Sequence, residues 1–202
     1  MTTELTVRKS GRVNELKHCL YFKDMIEISY DKLYSSINWE NEKVKSHGKE
    51  HVLSRMVARY GIDIEPYSFG GYLRKPIDKW PHILRKILKI VNKIIKDYIE
   101  DHPSFNFVVC NYYENGDTYI GYHSDGTETF VENSAILSLS VGESRDFLIR
   151  VNKTGQTYKI QLNDGDIFIM KYGFQDLYKH SVPVRKRVDK GRINLTFRVR
   201  KQ

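Results

Sequence analysis

The sequence predicts an α+β protein whose C-terminal half is a jelly roll of short strands and whose N-terminal half contributes helices. From residue 105 onward, apolar side chains recur with a period of two, which is typical of half-buried strands. Over residues 80–100 they recur at steps of three and four, as in an amphipathic helix. Seven or eight short strands separated by turns such as Asn163-Asp164-Gly165 close as a two-sheet jelly roll.

The first 51 residues carry weaker signals. Residues 1–17 are polar and predict a flexible arm. Residues 18–22 predict a short strand, and residues 25–38 space their apolar side chains in a roughly helical pattern. Residues 40–51 are charged, and Ser46-His47-Gly48 predicts a loop there because glycine adopts backbone angles that other residues avoid.

The helix predicted over residues 80–100 has one apolar and one basic face, and Pro81 suits its first turn. The basic face either meets phosphate or is the solvated side of a helix packed on a sheet. Its cations are Arg85, Lys86, Lys89, Lys93 and Lys96. The strands that follow are predicted over residues 105–113, 119–123, 136–141, 146–151, 157–162, 166–171 and 192–200.

Length and composition favour one soluble domain. A chain of 202 residues buries enough apolar surface for a single core, so we expect one domain over residues 18–202. Two cysteines argue against a disulfide framework and predict an intracellular protein. No apolar run approaches the roughly 20 residues of a membrane helix, which predicts a soluble protein. The formal charge of +8 favours a polyanionic partner.

A metal site is indicated by His123 and Asp125, which lie two residues apart in a predicted strand. Residues i and i+2 of an extended chain share one face, so the imidazole and the carboxylate converge. His180 supplies a third ligand. Two histidines and one carboxylate form the facial triad that leaves positions open on Fe(II) for a co-substrate and O₂. Taken alone, a His-x-Asp pair is more often an ordinary polar pair.

The final predicted strand strengthens the metal interpretation. Alternation over residues 192–198 places Arg192, Asn194, Thr196 and Arg198 on one face and apolar side chains on the other. Inward-facing arginines are costly without anionic partners, and a dicarboxylic acid is such a partner.

These motifs together resemble the AlkB family of Fe(II)- and 2-oxoglutarate-dependent dioxygenases, and within it the duplex-DNA repair members. The resemblance runs from about residue 19 to the C-terminus and is densest over residues 105–200. It is carried by Asn111-x-Tyr113, His123-x-Asp125, Ser144-Arg145-Asp146-Phe147, the run His180-Ser181-Val182-Pro183-Val184-Arg185-Lys186-Arg187, and Arg192-x-Asn194-x-Thr196-x-Arg198.

The resemblance implies a double-stranded β-helix over residues 105–202, with helices and a nucleotide-recognition lid over residues 18–104 packed on one side. It implies Fe(II) on His123, Asp125 and His180. It further implies that 2-oxoglutarate chelates the metal and that its distal carboxylate meets Arg192. Supporting roles in binding 2-oxoglutarate fall to Asn111, Tyr113, Asn194 and Arg198.

The implied activity is oxidative demethylation of bases such as 1-methyladenine and 3-methylcytosine, with release of succinate, CO₂ and formaldehyde. The implied partner is double-stranded DNA, bound by a monomer. Phe69 would stack on the extruded base, with Tyr67 and Arg55 in the same lid region. The basic run Arg185-Lys186-Arg187 would grip the opposite strand.

The sequence departs from the family pattern at two places. His47 stands where duplex-acting relatives carry the large aromatic residue of a base-replacing finger. The acidic residue that relatives often place two positions beyond the metal-binding aspartate is Thr127 here, with Glu128 next to it. Apart from these departures, two alternatives stay open: the same chemistry on methylated RNA or a protein side chain, or an inactive jelly-roll binding module.

Overall fold

The computed structural model describes residues 5–7, 12–14, 17–46, 48–126 and 129–201. Within these residues it contains three helices: α1 (Tyr30–Ser36), α2 (His82–Tyr98) and α3 (Phe174–Leu177). Its strands are β1 (Leu5–Val7), β2 (Arg12–Asn14), β3 (Cys19–Phe22), β4 (Ile26–Ile28), β5 (Glu40–Ser46), β6 (Lys49–Gly61), β7 (Tyr67–Phe69), β8 (Tyr72–Arg74), β9 (Phe107–Tyr113), β10 (Ile120–His123), β11 (Ile136–Gly142), β12 (Arg145–Val151), β13 (Thr157–Leu162), β14 (Ile167–Met170), β15 (Tyr178–Val182) and β16 (Arg192–Arg198).

Two antiparallel sheets form the core of the fold. The larger sheet has the strand order β2-β3-β14-β11-β16-β9-β6-β5, and the smaller has the order β10-β15-β12-β13. One apolar cluster, which includes Tyr113, Phe147, Phe168 and Val182, draws residues from both sheets and lies between them. The α+β class and the jelly-roll core that the sequence predicts are confirmed.

The helix α2 covers the outer face of the larger sheet. Its buried residues, among them Leu84, Ile87 and Val91, share a second apolar cluster with the odd-numbered residues Ile193 and Leu195 of β16. The cations on its other face are exposed. In the described part of the chain, no helix is both long enough and apolar enough to cross a lipid bilayer.

The strand β16 separates an apolar from a polar layer, as its alternating sequence predicts. Its register against β9 sets Arg192 opposite Tyr113 and Asn194 opposite Asn111. On its other side, β11 sets Ser140 opposite Asn194. Because paired residues point to the same face of a sheet, one polar patch faces the interior of the jelly roll.

The N-terminal half differs from the prediction in two segments. The predicted helix over residues 25–38 is replaced by β4 and the short helix α1, because Ser29 has extended backbone angles and caps the helix with its hydroxyl. The charged segment 40–51, where only the loop at Ser46-His47-Gly48 was predicted, belongs to the antiparallel hairpin of β5 and β6. Ser46 pairs with Lys49, so the predicted loop falls at the turn of this hairpin.

The predicted flexible arm, residues 1–17, includes two short strands. The strand β1 pairs with β4, and β2 pairs with β3 at the edge of the larger sheet. Most other residues of the arm lie outside the described residues. The flexibility of the arm and the limits of the domain therefore stay predictions.

Candidate active site

Three potential metal ligands converge at one end of the jelly roll. His123 ends β10, Asp125 follows it, and His180 lies in the neighbouring strand β15, directly opposite His123. One ligand atom from each residue lies within 4.8 Å of the others. The sequence predicts His180 just before a strand, whereas β15 begins at Tyr178 and includes it.

Hydrogen bonds orient the two ligands that come from β10 and the turn after it. Nδ1 of His123 lies 2.9 Å from the carbonyl oxygen of Gly121, which places its proton on Nδ1 and leaves Nε2 free. The backbone N–H of Asp125 donates to Oε1 of Gln175 at 2.9 Å. Oδ2 of Asp125 pairs with Nη2 of Arg198 at 2.8 Å. Arg198 therefore fixes the carboxylate that faces the histidines, and Gln175 fixes the backbone of the same residue.

The protonation states of the three ligands suit a divalent cation. Burial lowers the pKa of His123 and lowers that of His180 to about 4. Burial raises the pKa of Asp125, but the charges of Arg198, His180 and His123 outweigh it and hold this pKa at about 2. At neutral pH both imidazoles are neutral and the carboxylate is ionised, which are the forms that coordinate a metal.

The residues present fit Fe(II). Nδ1 of His180 is buried and has no hydrogen-bond partner among the described residues. Such an atom is costly unless something binds it or its ring. A set of two imidazoles and one carboxylate on one side of a cavity is typical of non-haem Fe(II) centres.

A cavity of about 270 Å³ extends from the three ligands into the jelly roll and reaches Arg192. Arg192 is 1% exposed, and its Nη2 donates to Oγ of Ser140 at 2.9 Å. Its Nε and Nη1 make no close hydrogen bond to a described residue, while the side chain of Tyr113 interacts with the guanidinium and partly offsets the effect of burial on its pKa. Burial lowers the pKa of Arg192 to about 10, so it remains a cation at neutral pH. A buried cation with two open donors fits a carboxylate.

The other residues predicted to bind 2-oxoglutarate also line the cavity, and several of them already have protein partners. Nδ2 of Asn194 donates to Oγ of Ser138 at 2.7 Å. Oδ1 of Asn111 accepts a hydrogen bond of 2.7 Å from Nε of Arg55. The family resemblance predicted Arg55 as a substrate-binding residue. Tyr113 places its ring 5.3 Å from the guanidinium carbon of Arg192.

Sequence reasoning did not identify Ser138 and Ser140. They are the two hydroxyl-bearing residues in the otherwise apolar segment 136–141 and lie two positions apart. This spacing, which places both hydroxyls on one face of a strand, was the signal that the sequence offered. Both are buried and face the polar side of β16 because β11 is its neighbour.

The predicted lid residues lie at the cavity mouth. The ring centre of Tyr67 lies 3.5 Å from the guanidinium carbon of Arg200. The ring centre of Phe69 lies 5.0 Å from the guanidinium carbon of Arg59. Phe69 remains 44% exposed, so one face of its ring is open. Arg59 and Arg200 also line the cavity and were not predicted.

The predicted basic run is not uniform. Nε of Arg185 donates to Oδ2 of Asp146 at 2.7 Å, whereas Lys186 and Arg187 are exposed. This run is not part of the cavity lining. The predictions about His47, Thr127 and Glu128 fall outside the described residues.

A jelly roll that holds two histidines and a carboxylate beside a buried arginine defines the site of an Fe(II)-dependent oxygenase. The family model described as the 2OG-Fe(II) oxygenase superfamily matches residues 24–198. The chain belongs to this family, whose enzymes use Fe(II), 2-oxoglutarate and O₂, and its predicted AlkB-like character is confirmed.

Several curated proteins are similar to the chain. Mouse "DNA oxidative demethylase ALKBH2" is 32% identical over 183 residues, which cover 83% of this chain and 74% of the mouse protein. Its human counterpart is 32% identical over 77% of this chain and 60% of its own length. Human "Alpha-ketoglutarate-dependent dioxygenase alkB homolog 3" is 29% identical over 89% of this chain and 65% of its own length. The chain thus spans less than two thirds of these two human relatives.

Among solved structures, that of OsALKBH1 superposes with a TM-score of 0.63 at 18% identity. The match covers 94% of this chain and 100% of that chain. At this identity the likeness concerns the fold alone.

Proposed function

We propose that this protein is an oxidative demethylase of alkylated nucleic-acid bases, of the 1-methyladenine and 3-methylcytosine type. The observation that carries the proposal is one cavity lined by the three metal ligands, by Arg192 and by the aromatic lid. Such a cavity accommodates a dicarboxylate at its inner end and a flat ring at its mouth. The names of the mouse and human relatives support a nucleic acid as the source of that ring.

In this proposal His123, Asp125 and His180 hold Fe(II), which supplies the oxidation of an N-methyl group by O₂ as 2-oxoglutarate is converted to succinate and CO₂. Arg192 binds the distal carboxylate of 2-oxoglutarate through its open Nε and Nη1 donors. Arg198 holds Asp125 in the orientation that faces the two histidines. The oxidised methyl group leaves as formaldehyde.

The lid positions the base. The ring of Phe69, backed by Arg59, stacks on one face of an extruded base, which unstacks at a cost of a few kcal/mol. Tyr67 is held by Arg200 and bounds the same space. Positioning of this kind brings the methyl group to the metal.

We further propose double-stranded DNA as the partner of a monomeric, intracellular enzyme. The exposed cations Lys186 and Arg187 and the net charge of +8 support a phosphate backbone. Both cysteines, Cys19 and Cys110, are free and buried, which supports a reducing compartment.

The test is the release of succinate and formaldehyde by the Fe(II)-loaded protein with unmethylated and methylated duplexes. We expect formaldehyde only with the methylated duplex. His180→Ala should abolish turnover, whereas His82→Ala, which removes an exposed histidine at the start of α2, should not. Succinate formed at the unaltered rate by His180→Ala would remove this metal site from the reaction. Formaldehyde from methylated RNA or peptide alone would reassign the substrate. No turnover with methylated duplex, RNA or peptide would indicate an inactive binding module.

A further inference from the structure

The hairpin of β7 and β8, residues 67–74 and called the lid here, pairs with no third strand among the described residues. It therefore depends on other contacts to stay over the cavity. At its tip the backbone N–H of Lys45 donates to the carbonyl of Gly70 at 2.7 Å. At its base Arg74 forms an ion pair with Glu42, a residue of β5, and its Nη2 donates to the carbonyl of Lys43 in the same strand.

Glu42 is a buried carboxylate that no step of the proposed reaction uses. It is 4% exposed, and two arginines share it. Nε of Arg74 lies 2.8 Å from its Oε1. Arg59 approaches both oxygens in a fork, with Nη1 2.8 Å from Oε1 and Nη2 2.8 Å from Oε2. A carboxylate out of water is stable only with such partners.

The three residues come from three different strands, which makes Glu42 a junction. Glu42 lies where the register of β5 against β6 shifts, between Asn41 and Lys43. A register shift of this kind re-aims a side chain. Arg59 belongs to β6 and lines the cavity, whereas Arg74 belongs to the lid.

The junction extends to the proposed base-stacking residue. The guanidinium carbon of Arg59 lies 5.0 Å from the ring centre of Phe69. The same guanidinium donates to the carboxylate of Glu42. An unpaired guanidinium at this place would be free to leave the ring. The carboxylate thus holds both the lid strand β8, through Arg74, and the ring on β7, through Arg59.

We propose that Glu42 is a positioning residue that fixes the lid, and with it Phe69, over the cavity mouth. The proposal rests on the proposed function, because a nucleic-acid base is the ring that Phe69 would be positioned to receive. It predicts that removing the charge of Glu42 loosens the lid and weakens substrate use without affecting the metal or 2-oxoglutarate.

Glu42→Gln keeps the shape and removes the charge, and Glu40→Gln is the matched control because it neutralises an exposed acid in the same strand. Hydrogen exchange of the amides in residues 67–74 should become at least about tenfold faster in Glu42→Gln and stay unchanged in the control. Arg74→Gln should loosen the lid as well, and the double variant should be loosened by less than the sum of the two single effects, because each single change already breaks the Arg74–Glu42 pair.

Kinetics then separate positioning from general stability. If only about a tenth of Glu42→Gln molecules hold the lid in place, the KM for a methylated oligonucleotide rises about tenfold. The KM for 2-oxoglutarate should not change. Faster exchange throughout β6 and β9, unaltered exchange in the lid, or an unaltered oligonucleotide KM would each overturn the proposal. A wild-type protein without demethylase activity would overturn the proposed function instead, while the exchange data would still decide whether Glu42 holds the lid.

Discussion

At the scale of single residues, the buried guanidinium of Arg192 gives the first prediction. Lysine keeps the charge but lacks the fork, so Arg192→Lys should weaken 2-oxoglutarate binding by roughly 1.5–3 kcal/mol, the worth of a charge-assisted hydrogen bond. Iron binding should persist, since the side-chain hydrogen bond of Arg192 goes to Ser140 and not to a metal ligand. Titration of 2-oxoglutarate into the Fe(II)-loaded variant measures the change.

The matched control for this variant is Arg150→Lys. Arg150 packs its guanidinium 3.6 Å from the ring of Tyr122 and does not line the cavity. It should leave the affinity for 2-oxoglutarate unchanged. Equal affinities of the wild type and Arg192→Lys would place the co-substrate elsewhere.

Single residues also show what sequence reasoning can reach. The inward face of β16 was predictable because alternation in one strand fixes the directions of Arg192 and Arg198 together. Glu42 was not predictable, because its burial depends on Arg59 and Arg74, which lie 17 and 32 positions away along the chain. A carboxylate in a charged segment carries no local sign of such partners.

At the scale of elements, burial on one face decides which strands are predictable. From residue 105 onward each strand has a face on an apolar cluster, so the period of two is visible in the sequence. The strand β5 buries Glu42 and leaves most of its other residues exposed. With no apolar face, its sequence does not indicate a strand, and only pairing with β6 makes it one.

The connection between α2 and the jelly roll gives a second prediction, which concerns pH. Nε2 of His102, a residue 4% exposed, accepts a hydrogen bond of 2.8 Å from the backbone N–H of Ala135. Only an unprotonated Nε2 accepts, and burial lowers the pKa of His102 below its usual 6.5. Its contribution to stability is therefore complete above pH 6.5 and is lost as the pH falls towards the lowered pKa.

His102→Gln does not titrate and keeps an amide oxygen that can accept the same bond. Urea unfolding at pH 7.5 and at pH 5 should show a smaller loss of unfolding free energy in this variant than in the wild type. Each unit by which burial lowers the pKa is worth about 1.4 kcal/mol of that difference. His82→Gln, at an exposed position, should follow the wild type. An identical pH dependence in all three proteins would contradict the role of His102.

At the scale of the whole molecule, two groups of exposed cations lie at different places in the fold. The cations of α2 lie on the outside of the larger sheet, behind the layer of apolar residues that separates them from the cavity. The basic run after β15 follows the strand that holds His180. Within that run Arg185 is paired with Asp146, which leaves Lys186 and Arg187 as the exposed cations.

We expect duplex DNA to bind at the second of these groups, the exposed cations Lys186 and Arg187. Changing Lys186 and Arg187 to Ala should weaken duplex binding and flatten the plot of log affinity against log salt by about 0.9 for each phosphate that the protein no longer neutralises. Single strands should be affected much less, because they have no opposite strand to be held. Changing Lys89 and Lys93 of α2 to Ala removes the same charge and should leave the slope unaltered. A slope that falls equally in both double variants would reduce the run to general electrostatics, and an unaltered slope in the first would leave it without a role in binding DNA.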